Sequence, residues 1–109
     1  MSVREVVRVS ISTAAGDLTI ATPRSDQIVR LLSYVLCISS AGTVRWENGA
    51  GGAALSGVMS LASSTPLVCP HDDNAWLETT RGTALSLEAT GTLITGHANV
   101  EYVNRPPIT

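Results

Sequence analysis

The sequence lacks lysine and phenylalanine and is poor in charge. Charged residues make up 15% of the 109, the net charge is −2, and all seven basic residues are arginines scattered singly along the chain. Because nucleic-acid binding relies on neutralising phosphates, the absence of any basic run argues against a nucleic-acid partner. Hydrophobic content of 44% excludes a disordered chain, and with so little charge it predicts that part of the surface is covered in an assembly.

Export and membrane signals are also missing. No basic segment followed by an apolar stretch opens the sequence, so we expect no signal peptide, and no apolar run is long enough to cross a membrane. Only two cysteines occur, Cys37 and Cys69. They could pair if their strands were neighbours, but without an export signal the sequence favours two small buried thiols.

Helix signals are nearly absent, and turn residues recur about every eight to twelve positions. This pattern predicts one all-β domain over residues 1–109, an antiparallel, jelly-roll-like β-sandwich of about eight to ten strands. A small closed barrel and an immunoglobulin-like sandwich are the alternatives. We expect an N-terminal strand or arm over residues 1–13 and an extended tail over residues 104–109. Turns between short strands are predicted at residues 14–17 and at Gly91.

The most apolar segment, residues 28–38, organises the predicted fold. A turn cluster at residues 39–42 and an alternating segment at residues 43–47 follow it, so the sequence predicts a β-hairpin. Tyr34 and Trp46, one in each strand of that hairpin, are predicted to lie in the core.

The first strand of this hairpin is apolar on both of its faces. One face belongs to the core and the other needs a partner, so Leu31 and Val35 are candidate residues of a subunit or capsid interface. Trp76 follows a polar loop and shares a strand face with Glu78, which suits an interface better than the core. Tyr102, in the last strand, is the fourth candidate.

The densest ionisable cluster is the loop at His71, Asp72 and Asp73. With His97 it could supply nitrogen and oxygen ligands to a divalent metal. Neighbouring carboxylates on an extended chain point apart, however, and no HxH, HExxH or CxxC spacing occurs. A solvated loop is therefore favoured over a metal site, and we expect neither a metal nor a cofactor.

No arrangement of residues predicts catalysis. A GxSxG elbow is absent, and Cys37 lies in the most apolar run of the chain, whereas a catalytic thiol needs a polar setting. The glycine-rich residues 49–52 lack the Lys and Ser/Thr of a phosphate-binding loop. The sequence therefore predicts a protein without catalytic residues, and not an enzyme.

A series of short motifs begins near residue 28. In order along the chain they are LSYVL (32–36), SAGTVRW (40–46), LSGVMSLA (55–62), LVCP (67–70), AWLET (75–79) and GTALSL (82–87). This progression resembles that of small β-sandwich virion structural proteins of tailed bacteriophages, and the resemblance covers residues 28–102. The resemblance rests on the order of the motifs, and no single motif is specific to these proteins.

The resemblance implies a structural protein of the virion. Small, free-standing members are often capsid decoration, or cement, proteins, which form trimers and clamp neighbouring capsomers on the outer shell. The implied partners are further copies of the chain and the major capsid protein, and the implied location is the capsid surface, after assembly in the host cytoplasm. One alternative is a tail, neck or fibre accessory protein. Another is a carbohydrate-binding module, with Trp76 and the loop of residues 71–74 as its site.

Overall fold

The computed structural model describes residues 5–105, which form eight β-strands and no helix. The strands are β1 (Glu5–Ala21), β2 (Gln27–Ile38), β3 (Gly42–Asn48), β4 (Ala53–Ala54), β5 (Met59–Leu61), β6 (Leu67–Cys69), β7 (Leu77–Glu78) and β8 (Leu85–Asn104). Residues 5–105 contain no helix that is long and apolar enough to cross a bilayer. The all-β, antiparallel prediction is confirmed.

The last strand, β8, is the centre of the hydrogen-bonded network. One of its edges pairs with β1 over almost its whole length. Its other edge pairs with β2 along residues 94–104 and with β3 along residues 85–89. The short strands β6 and β7 extend the sheet beyond β2, and β4 and β5 extend it beyond β3.

Two bends turn this network into the two layers of a sandwich. Ala14 pairs with Leu93 and Gly16 with Ala89, so the residues between these pairs leave the register and both long strands bend together. Gly91 has a φ of +113°, a conformation that glycine tolerates and other residues rarely adopt. Below, the β2 layer means β2, β6, β7 and residues 5–14 and 93–104. The β3 layer means β3, β4, β5 and residues 16–21 and 85–89.

The core lies between the two layers. Tyr34 of β2 and Trp46 of β3 meet there with ring centroids 5.1 Å apart, as predicted for both aromatics. The residues packed around them come from all four long strands: Ile11, Ile20, Ala21, Val29, Leu31, Leu36, Ile38, Val44, Leu85, Leu87, Ala89, Ile94, Ala98 and Val100. Inward residues alternate with outward ones within each regular stretch of strand, and the parity changes at register shifts such as the one between Leu31 and Ser33 of β2.

The predicted β-hairpin of residues 28–38 and 43–47 is wrong. The described residues of β2 and β3 do not pair with each other; each pairs with a different part of β8. The turn at residues 39–41 carries the chain from one layer to the other, and the backbone N–H of Ser39 donates to the carbonyl oxygen of Leu93 beside the bend. Turn chemistry signals a change of direction, but it does not say which strand becomes the neighbour.

The two predicted turns at residues 14–17 and at Gly91 are also wrong. Both lie inside continuous strands of 17 and 20 residues. Glycine is favoured in turns and in bulges, so the composition of a segment does not distinguish them.

Residues 5–13, the described part of the predicted N-terminal arm, are paired with β8, and residues 1–4 lie outside the described range. In the predicted tail, Asn104 still pairs with Gln27, and residues 106–109 lie outside that range.

Candidate functional site

An exposed apolar patch lies on the outer face of the β2 layer, next to its short edge strands. Val35 of β2 is half-buried and lies directly opposite Val68 of β6, which is 61% exposed. Trp76, 47% exposed, precedes β7, and its indole N–H donates to the carbonyl oxygen of Pro70 at 2.8 Å. This bond holds the ring in place while its apolar area faces solvent. We refer to Val35, Val68 and Trp76 as the outer-face patch.

The four interface residues predicted from the sequence fall in different environments. Val35 and Trp76 belong to the outer-face patch. Leu31 is fully buried in the core of the chain, so it offers no area to a partner. Tyr102 is half-buried opposite Glu5 of β1, and desolvation, with a smaller contribution from the Glu5 carboxylate, raises the pKa of its hydroxyl.

An ion-pair group lies on the same outer face. Arg30 Nη1 donates to Glu101 Oε1 at 2.8 Å, and the Glu101 side chain is 5% exposed. Glu78 Oε2 lies 3.9 Å from Arg30 Nε and is half exposed. The cross-strand register places these three residues in one row over β8, β2 and β7. A buried carboxylate with a charged hydrogen-bond partner keeps its charge at a tolerable cost, which makes this row part of the fold.

The free edge of β1 is the longest open strand edge in the described part of the chain. There β1 pairs only with β8, so its other edge presents unpaired N–H and C=O groups along 17 residues. The opposite edges consist of strands of two or three residues, and Pro66 and Pro70 flank β6. Short strands and prolines protect a sheet edge from pairing with other chains, and β1 has neither protection.

The polar loop that was a candidate metal site is held by bonds within itself. His71 Nε2 lies 2.7 Å from Asp73 Oδ1, and Asp72 Oδ1 accepts a hydrogen bond from the backbone N–H of Asn74 at 2.9 Å. His97, the fourth residue considered, lies in β8 opposite Val35. Among residues 5–105, this set does not place three ligand atoms close enough to share one ion.

A different set of carboxylates does come together, on the outer face of the β3 layer. Ligand oxygens of Asp17, Glu47 and Glu88 all lie within 4.8 Å of one another. Arg45 Nη2 donates to Glu47 Oε2 and lies 3.8 Å from Glu88 Oε2. The backbone N–H of Gly51 donates to Glu47 Oε1 at 3.3 Å, so the glycine-rich loop closes over this carboxylate.

The electrostatics of this acidic cluster differ from one carboxyl group to the next. Partial desolvation, a hydrogen bond that protonated Asp17 can donate to Glu47, and the negative charge of Glu47 raise the pKa of Asp17. The hydrogen bond from Arg45 lowers the pKa of Glu47 against the opposing effect of burial. The single guanidinium therefore acts mainly on Glu47, and at Asp17 its charge only partly offsets desolvation and the charge of Glu47. The three acids are 30 and 41 positions apart in sequence, and no spacing motif pointed to them.

The two cysteines are free and occupy opposite faces of the β2 layer. Cys69 pairs with the inward residue Tyr34, whereas Cys37 is an odd number of positions from Tyr34 and faces outward. A disulfide between them would have to pass through the sheet, so the structure favours the expected free thiols. Burial raises the pKa of the Cys69 thiol, which makes it a poor nucleophile.

Comparison with known proteins gives a fold and no family. No family model matches the chain, and no curated protein matches it. Among solved structures it is similar to a chain from the Bacillus endospore appendages, which form a novel family of disulfide-linked pili. The two are 14% identical over 95% of this chain and 92% of that chain, with a TM-score of 0.53. At this identity the similarity supports the β-sandwich architecture.

Proposed function

We propose that the chain is a virion structural protein, a capsid decoration protein that forms a homotrimer and binds the major capsid protein on the outer shell of a tailed bacteriophage. The phage resemblance of the motif series suggests the virion. The outer-face patch is the observation that carries the proposal. It exposes Val68, directly opposite Val35, and Trp76, which lies further along β2 beside Leu31. Apolar side chains exposed along one sheet edge are typical of surfaces that a partner covers.

The surrounding face fits a specific contact. The ion-pair row of Glu78, Arg30 and Glu101, exposed at its Glu78 end, crosses the same sheet, so an apolar centre is bordered by polar groups, as in many protein interfaces. A specific interface buries about 1,200–2,000 Å² in total. Repetition of a modest contact over a shell multiplies its effect through avidity, so a small decoration protein needs no deep pocket.

The test compares two exposed valines. Val68→Asp places a charge in the outer-face patch, whereas Val58→Asp places the same charge on the link between β4 and β5, at 61% and 62% exposure respectively. Both variants should fold, since exposed substitutions change stability by about 0.5 kcal/mol or less. We expect Val68→Asp to weaken trimer formation or binding to undecorated capsids about tenfold or more, and Val58→Asp to leave both unchanged.

Light scattering after size-exclusion chromatography gives the oligomeric state, and co-sedimentation with capsids gives binding. A wild-type chain that stays monomeric and does not sediment with capsids would contradict the proposal. Equal losses in the two variants would place the contact away from the outer-face patch.

A fibre subunit, such as a tail or neck accessory protein, is the second candidate. Two observations favour it: the free edge of β1, and the similar fold of a chain from appendages described as pili. An edge strand that pairs with a different surface of the next copy makes a head-to-tail contact, and such contacts build open filaments. Electron microscopy of the purified protein separates the candidates, because filaments would support the fibre subunit and discrete trimers the decoration protein.

A further inference from the structure

We propose that Asp17, Glu47, Glu88 and Ser86, on the outer face of the β3 layer, form a binding site for Ca²⁺. This inference is independent of the proposed virion function. The four residues belong to three neighbouring strands, β1, β8 and β3, and the register places them on a grid of two rows. One row is Thr19, Ser86 and Glu47; the other is Asp17, Glu88 and Arg45.

The grid brings the outer acids together above the middle strand. Glu88 lies on β8, directly opposite Asp17 on one side and Arg45 on the other. Glu47 reaches over β8 from the far strand, because its carboxylate oxygen lies within 4.8 Å of those of both Asp17 and Glu88. Opposite oxygens around a Ca²⁺ ion are about 4.6–5.2 Å apart, since each bond is about 2.3–2.6 Å long. The cluster is therefore already compact enough for one ion.

Ser86 is the independent observation that points to a ligand. Its side chain is fully buried, yet its hydroxyl oxygen has no hydrogen-bond partner among residues 5–105. Ser86 lies directly opposite Glu47 and two positions before Glu88, so its side chain is on the same face of the sheet as these two glutamates. A buried hydroxyl without a partner costs free energy, and coordination to a cation would remove that cost.

The charge balance calls for a cation. Three carboxylates share one guanidinium, Arg45, which contacts Glu47 and Glu88 but leaves Asp17 against Glu47. Arg45 and the Gly51 amide occupy two of the acceptor positions on Glu47, and an ionised carboxylate has about four. Hydroxyl and carboxylate oxygens are ligands of hard divalent ions, and the varied directions from three strands suit the flexible geometry of Ca²⁺ better than the strict octahedron of Mg²⁺.

The first experiment measures the melting temperature of the full chain at neutral pH. Protein stripped with EDTA is titrated with CaCl₂, with NaCl adjusted to hold ionic strength constant, and MgCl₂ is a parallel arm. A ligand at about 100 times its dissociation constant stabilises the folded state enough to raise the melting temperature by several degrees in a domain of this size. We expect this rise with Ca²⁺ and a smaller one with Mg²⁺.

Two variants localise the effect. Asp17→Asn should weaken Ca²⁺ binding about tenfold, measured by isothermal titration calorimetry. Ser86→Ala should also weaken binding, while leaving the melting temperature in EDTA unchanged or higher, because it removes an unpartnered buried hydroxyl. Asp73→Asn, in the exposed loop that follows β6, is the matched control and should bind Ca²⁺ as the wild type does.

A proton shared between Asp17 and Glu47 would satisfy the geometry without a metal. In that case CaCl₂ at millimolar concentration would leave the melting temperature unchanged, and the proposal would be overturned. It would be overturned equally if Asp73→Asn lost the Ca²⁺ response and Asp17→Asn kept it.

Discussion

Each layer of the sandwich places one arginine beside one buried glutamate on its outer face. In the β2 layer Arg30 and Glu101 come from neighbouring strands, and in the β3 layer Arg45 and Glu47 are two positions apart on one strand. The exposed surroundings differ. Val35, Val68 and Trp76 lie on the first face, whereas Asp17 and Glu88 add two further carboxylates to the second.

This difference separates two uses of a sheet surface. On the first face the exposed groups are apolar, and another protein surface is the partner that would cover them. On the second face the close-set groups are oxygens with excess negative charge, and a cation is the partner that would stabilise them. The same scaffold therefore presents two different chemistries, because side-chain alternation lets the exterior vary while the interior stays apolar.

The largest expected effect is the difference between a charge placed in the interior of the β2 layer and one placed on its exterior. Leu31→Asp puts a charge where the side chain is fully buried, so we expect a loss of more than about 4 kcal/mol and an unfolded chain. Val35→Asp, on the half-buried outer face, should keep the fold and lose self-association or capsid binding. Circular dichroism with urea titration measures the first effect, and light scattering measures the second. A folded, fully stable Leu31→Asp variant would be incompatible with the described core.

A second prediction compares alanine substitutions at two glycines: Gly96, where β2 and β8 approach closely within one layer, and Gly16, at the bend between the layers. A Cβ at Gly96 would lie 1.9 Å from the carbonyl oxygen of Val35, and the φ of Gly96 is +140°. Gly16 has nearly the same φ, +141°, but a Cβ there would meet nothing within 4 Å. We expect Gly96→Ala to cost about 3 kcal/mol and Gly16→Ala about 1 kcal/mol in urea unfolding. Equal costs would mean that strand spacing at Gly96 relaxes freely.

The smallest expected effect is the difference in stability between glutamine substitutions at the two buried glutamates. Glu101→Gln removes the charge that pairs with Arg30 and should cost about 2 kcal/mol of stability. Glu47→Gln should cost less when Ca²⁺ is absent, because the change also relieves repulsion with Asp17 and Glu88. Urea denaturation of both variants in EDTA gives the two values. If Glu47→Gln proved the more damaging change, the acidic cluster would already be balanced without a cation.

Most of the fold was predictable from local alternation. Val44 and Trp46 point into the core, and Arg45 and Glu47 point to the outer face, because strand side chains alternate. Pro66 and Pro70 correctly marked a short edge strand, since proline cannot donate to a sheet. These features depend only on residues that are neighbours in sequence.

Pairing and the acidic cluster were not predictable, because they depend on long-range register. Gly91 is compatible with a turn or a bend, and the choice is made by β1 pairing on both sides of it. In the sequence Glu47 and Glu88 occupy ordinary outward positions of predicted strands, and Asp17 ends a predicted turn. Only the order β1, β8, β3 makes them neighbours, and no local pattern encodes that order.

The pairing of β1 with β8 also has a consequence for how the chain folds during synthesis. In the described chain the first strand has no hydrogen-bonding neighbour until the ribosome has made the last one, since Glu5 lies opposite Tyr102. Contacts so distant in sequence slow folding and leave nascent strands exposed. We therefore expect the sandwich to close only after β8 has been synthesised, in one late step that joins β1 to β8.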